Sequence, residues 1–171
     1  MAIVYLKIID CKTRCFPYIK DNLQYAESVP SYAKDQEGMN ALESILAFVE
    51  RDDYYPTFAE KAAYLFCSVA NRHAFGNGNK RLAATLLRYF LADNKDKTIE
   101  ITAEQWKKTI QRLFPSSQWK STELGDPFYL LLYNLAFIAA DGQLRPGINF
   151  DDCKKLLTTL FEKIFEVPKD C

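Results

Sequence analysis

Residues 71–81 read Asn71-Arg72-His73-Ala74-Phe75-Gly76-Asn77-Gly78-Asn79-Lys80-Arg81, and they hold the one histidine of the 171-residue chain. Neither a helix nor a strand favours the run of Gly and Asn that follows this histidine. Upstream, Thr57 to Glu60 has the Thr-x-x-Glu spacing of a capping box, and Phe58, Ala62, Leu65, Phe66 and Val69 recur at helical intervals. One further turn places His73 at the end of the same face. Downstream, Asn79 is a natural N-cap, and Leu82, Ala83, Leu86, Leu87 and Phe90 form the stripe of a second helix. The stretch therefore reads as helix, glycine-rich loop, helix.

Such a loop suits an anion. A helix start presents N–H groups without intrahelical acceptors and the positive end of the helix dipole, and Lys80 and Arg81 add full charges there. Gly76 and Gly78 are the residues expected to take positive φ and let the backbone approach a phosphate. His73, at the opposite lip, is a candidate general base for a hydroxyl attacking phosphorus. Taken singly, Gly-Asn-Gly is an ordinary turn, a histidine at a helix end is a cap or core residue, and Lys80, Arg81 and Arg88 form a solvated face. Their joint spacing is what points to a site.

The pattern His73-x-Phe75-x-Asn77-Gly78-Asn79-Lys80-Arg81 resembles the Fic/Doc superfamily motif, His-x-Phe-x-Asp/Glu-Gly-Asn-Gly/Lys-Arg. The flanking Ala62-Ala63-Tyr64-Leu65-Phe66 and Leu82-Ala83-Ala84 are similar to that family as well. The resemblance implies an all-α helical bundle with the motif loop between two central helices, and it leaves room for a small β-hairpin flap. It also implies ATP with Mg²⁺ as cofactors, and transfer of part of the nucleotide to a hydroxyl of a target protein. His73 would be the base, Phe75 would pack into the core and fix the loop, and Gly76, Gly78, Asn79, Lys80 and Arg81 would hold phosphates.

Two departures refine that expectation. Lys80 and Ala84 stand where the adenylylating branch has Gly and a second Arg, and Lys80 resembles the Doc, death-on-curing, branch. That branch implies a toxin-like protein kinase acting on a translation factor, with an antitoxin as a further partner. Asn77 stands where the metal-binding carboxylate belongs, and an amide is a weak ligand for Mg²⁺. Arg88 lies about two turns, roughly 10 Å, farther from the loop than Arg81, too far to replace the missing Arg. Protein adenylylation and a catalytically weakened Fic-fold protein that binds nucleotide or a partner remain as alternatives.

The remaining chain sets bounds. With 49% apolar residues and a formal net charge of +0, it is expected to be a single domain over residues 1–171, with nothing in its charge that points to nucleic acid or an anionic membrane. Five scattered cysteines lack zinc-site spacing, and residues 3–9 lack the pattern of a signal peptide, so a cytoplasmic protein is expected. The resemblance covers residues 40–115, leaving an N-terminal extension over 1–35 and a C-terminal helical part over 126–167. In the extension, residues 3–9 read as a strand or buried turn, and 14–28 as a helix despite Pro17.

Residues 33–38 approach the family's autoinhibitory signature, making Glu37 a candidate inhibitory residue although Ala33 replaces the Ser/Thr. A helix is expected over 40–52. Beyond it, Tyr54 and Tyr55 could dock a target in extended form, or simply cover the core edge. Further on, a short strand is expected at 98–101, and a capping box at Thr102 opening a helix that stops at Pro115. Asp126-Pro127 then opens an apolar helix too short to span a bilayer, and Asn149 caps the last helix.

Overall fold

The central helix, α4 (Phe58–Asn71), starts at the expected capping box. The Glu60 N–H donates to Thr57 Oγ1 at 3.2 Å, and the Thr57 N–H donates to Glu60 Oε2 at 2.9 Å. Eleven of its residues are buried, far more than one face, because four helices, α3 (Gln36–Val49), α5 (Asn79–Asn94), α7 (Pro127–Ala140) and α8 (Phe150–Phe165), all pack on it. This computed structural model describes residues 2–23, 28–94, 103–117 and 127–165. All regular elements among them are helical, as the fold class required, and residues 51–57 form turns rather than the β-hairpin flap.

In chain order, α1 (Ile8–Asp10) continues through a π-helical turn at Cys11–Cys15 into α2 (Phe16–Asn22), with Pro17 tolerated in the first turn of α2. Residues 3–9 therefore form no strand. Asn94 secures this extension to α5 (Asn79–Asn94), accepting from the Val4 N–H at 2.7 Å and donating to the Val4 carbonyl at 2.8 Å. Arg14 adds a bidentate pair to Asp93 at 2.7 and 2.8 Å.

Helix α3 (Gln36–Val49) starts four residues before the expected Asn40, because the Asp35 side chain accepts from the Gly38 N–H at 2.9 Å and caps it there. Leu42, Ile45, Leu46 and Val49, at helical spacing on one side, are buried. Helices α6 (Ala103–Leu113) and α7 (Pro127–Ala140) pack together. α8 (Phe150–Phe165) is capped by Asn149, whose Oδ1 accepts from the Asp152 N–H at 2.8 Å. Leu131, Leu132, Leu135 and Ile138 of the apolar α7 are buried, while Phe128, Leu130 and Phe137 are half-buried. The strand expected at 98–101 and the caps at Thr102 and Asp126 lie outside the described residues.

Two buried cations went unnoticed in the sequence. Lys61 is fully buried, its Nζ 3.0 Å from the Val49 carbonyl and 2.8 Å from Asp52 Oδ1, so it ties α4 to the end of α3 and to the segment carrying Tyr54 and Tyr55. Arg145 donates to the carbonyls of Ile138 at 3.0 Å and Ala139 at 3.5 Å, satisfying the C-terminal end of α7, and to the Ile148 carbonyl at 2.6 Å. The four described cysteines are buried and free.

Candidate active site

The loop between α4 and α5 is built around a single asparagine. Asn79 Oδ1 accepts from the Phe75 N–H at 3.1 Å, and its Nδ2 donates to the Phe75 carbonyl at 2.8 Å, so the loop is closed at its neck. Asn79 is thus not the N-cap expected from its position. Its side chain turns back into the loop, and the first backbone bond of α5 runs from the Leu82 N–H to the Gly78 carbonyl at 3.0 Å. Phe75 is buried, as expected of the residue that fixes the loop, and it packs edge-on against Tyr32 at 5.0 Å. Gly38 allows this approach, since a Cβ there would lie 2.6 Å from the Phe75 ring.

His73 does not extend the face of α4. The helix ends at Asn71 with Arg72 as its cap, and His73 follows at φ +50°, the one non-glycine residue with positive φ among the described residues. The turn lifts its ring out of the apolar face and leaves it exposed. A strained backbone position beside a loop is a common setting for a functional side chain. Gly78 takes φ +75° as expected, but Gly76 does not have positive φ, and a Cβ at Gly76 would meet nothing within 4 Å. Of the two glycines, the backbone requires only Gly78.

The expected phosphate ligands divide. Lys80 is half-buried with its Nζ 4.8 Å from the centre of the Phe137 ring, and it has no carboxylate partner among the described residues. It stands in the first turn of α5, where phosphate binding is physically favoured. Arg81, by contrast, is buried, and its guanidinium donates to the Leu23 carbonyl at 3.1 Å and to the Ser28 carbonyl at 3.5 Å. Asn77 Nδ2 donates to the same Ser28 carbonyl at 3.1 Å. The Tyr32 hydroxyl donates to the Gly78 carbonyl at 2.8 Å. Burial pushes the Tyr32 phenol up to about 12, with the Arg81 charge opposing the shift.

Residues 28–32 therefore lie across the loop as a strap. Sequence reasoning missed Ser28, Pro30 and Tyr32 because nothing local marks a segment whose partners are some fifty residues away. Position 77 offers Mg²⁺ a neutral amide oxygen and no charge. Its one side-chain contact is a donated hydrogen bond, and no three His, Cys, Asp or Glu residues cluster for a cation among the described residues. Glu37 is exposed on the first turn of α3 and forms no ion pair among the described residues, while its neighbour Gly38 packs against the Phe75 ring of the loop.

Tyr54 and Tyr55 lie apart from the loop but connect to it. With Tyr64, Asp151 and Lys154 they line a groove of about 470 Å³ between α4 and α8. A second groove of about 450 Å³ shares Tyr55, Tyr64, Asp151 and Lys154 and runs along α4 to Asn71 and Arg72, the residue before His73. Tyr54 is 58% exposed, whereas Tyr55 stacks on Tyr64 at 4.4 Å. The second groove thus ends at Arg72, one residue short of the histidine in sequence.

Residues 14–91 match the Fic/DOC family model. No curated protein and no solved structure matches the chain. The Fic/DOC match ends near the end of α5 and starts in the π-helical turn, so it takes in the strap, α3, α4 and the loop. The part of the chain similar to the family therefore begins well before residue 40 and takes in residues 14–35 of the N-terminal extension. No helix among the described residues is long and apolar enough to cross a membrane.

Proposed function

We propose that the chain transfers the terminal phosphoryl group of ATP to a hydroxyl of a target protein. The observation that carries this reading is the pairing of an exposed His73, held at φ +50° on one side of the loop, with Lys80 and the first turn of α5 on the other. The Fic/DOC match over residues 14–91 supports nucleotide-dependent transfer in general, and Lys80 in the motif favours phosphoryl over adenylyl transfer. His73 accepts the proton of the target hydroxyl as its oxygen attacks the γ-phosphorus, and the bond to the β-phosphate oxygen breaks to release ADP. Lys80 and the N–H groups at the start of α5 hold the charged phosphate oxygens. The groove from Tyr54 to Arg72 seats the target chain next to the histidine.

The test is incubation of the wild-type and His73→Ala proteins with a cell extract and ATP labelled at either the γ- or the α-phosphate. Label from the γ position on protein, seen with wild type only, is the expected result. Label from the α position would assign adenylylation instead. The donated hydrogen bond of Asn77 favours a second reading, in which the loop binds nucleotide or a partner without turnover. Absence of both labels, with nucleotide binding retained, would establish it.

A further inference from the structure

An amide can accept and donate, whereas a carboxylate only accepts. At position 77 the structure uses donation, from Asn77 Nδ2 to the Ser28 carbonyl at 3.1 Å. That carbonyl also receives Arg81 at 3.5 Å, so one strap oxygen joins the middle of the loop to the first turn of α5. Two further contacts seat the strap. The Tyr32 hydroxyl reaches the Gly78 carbonyl at 2.8 Å, and Pro30 and Tyr32 fill the space a Cβ on Gly78 would need, at 3.0 and 2.4 Å. Tyr32 is itself clamped, stacked on Phe16 at 4.8 Å and edge-on to Phe75.

We propose that Asn77 is a latch for the strap rather than a cation ligand, and that the amide stands in this motif because position 77 must donate to Ser28. A carboxylate there would set a negative oxygen against the carbonyl oxygen with no hydrogen between them, and the strap would retreat. With the latch closed, position 77 offers a divalent cation only the neutral Oδ1, and the charged group the loop keeps for phosphate is Lys80. The inference concerns the loop of the proposed site, but its test reads the nucleotide-free protein, so it stands or fails apart from any transfer activity.

Hydrogen exchange followed by mass spectrometry on the full chain tests it, comparing wild type with Asn77→Asp, Asn77→Ala and Tyr32→Phe. Asn77 is only half-buried, so its variants keep the fold, and Tyr32→Phe shows that loosening of the strap is readable. In Asn77→Asp and Asn77→Ala, amides of residues 28–32 and 76–81 should exchange roughly fivefold faster than in wild type, the effect of one lost hydrogen bond. Magnesium alone should leave wild-type exchange unchanged. Wild-type rates in both Asn77 variants would overturn the proposal. So would magnesium-dependent protection of residues 76–81 that disappears in Asn77→Ala.

Discussion

Asn79 holds Phe75 by both of its backbone groups, at 3.1 and 2.8 Å, across the neck of the motif loop. Both residues are buried, so loss of the amide leaves a donor and an acceptor without water to replace it. Asn79→Ala should cost about 2–4 kcal/mol in denaturant unfolding. Asn79→Asp should cost as much, because it loses the donor and buries a charge. A cost below about 1 kcal/mol would mean that the loop is closed by something other than this pair.

The two glycines of the loop should respond differently to alanine. At Gly78 the backbone has φ +75° and a Cβ would lie 2.4 Å from the Tyr32 hydroxyl, so strain and collision combine. Gly78→Ala should destabilise by about 2 kcal/mol or more. Gly76→Ala meets nothing within 4 Å and should stay within about 0.5 kcal/mol of wild type. Thermal unfolding of the two variants side by side measures the contrast.

Lys61 and Asp52 form an unequal pair, one fully buried and the other with a side chain 81% exposed. Lys61→Ala leaves a cavity and an unmet Val49 carbonyl, for an expected loss of about 2–4 kcal/mol, and Lys61→Met should lose less by keeping the volume. Asp52→Ala leaves a buried ammonium with weaker compensation and should cost about 1–3 kcal/mol. In the double variant Lys61→Met/Asp52→Ala the aspartate change should cost almost nothing further. A double-mutant cycle in urea checks this coupling.

What could be read from the sequence was whatever one segment decides by itself. The capping box at Thr57 and Glu60, the stripe of α5 and the helical core came from spacing alone, since their partners lie within a turn or on one face. The loop was located but its internal geometry was not. Asn79 resembles an N-cap to any local rule, yet its side chain is claimed by Phe75, and His73 leaves the helical face at a turn no periodicity records. Arg81 illustrates the remaining gap. Its charge and position suggest phosphate, while its carbonyl partners come from a segment distant in sequence, a relationship that only packing reveals.

Alkaline pH should act on the strap through Tyr32. Its folded pKa is raised to about 12 by burial, above the ordinary value of 10 expected in the unfolded chain. Its contribution is therefore fully present below about pH 10 and is lost as pH rises from there through about 12, where only the unfolded chain is ionised at first. Stability measured from pH 8 upward should fall less steeply for Tyr32→Phe than for wild type above pH 10. Parallel curves would show that Tyr32 carries none of the alkaline loss.

The most direct measurement joins stability and transfer in one variant, His73→Gly. Because His73 is exposed at φ +50°, glycine should relieve the backbone and raise unfolding stability by about 1 kcal/mol. If His73 is the base, the same variant should show no transfer of γ-phosphate label to protein, despite its greater stability. Full labelling by a stabilised His73→Gly protein would contradict the proposed role of the histidine.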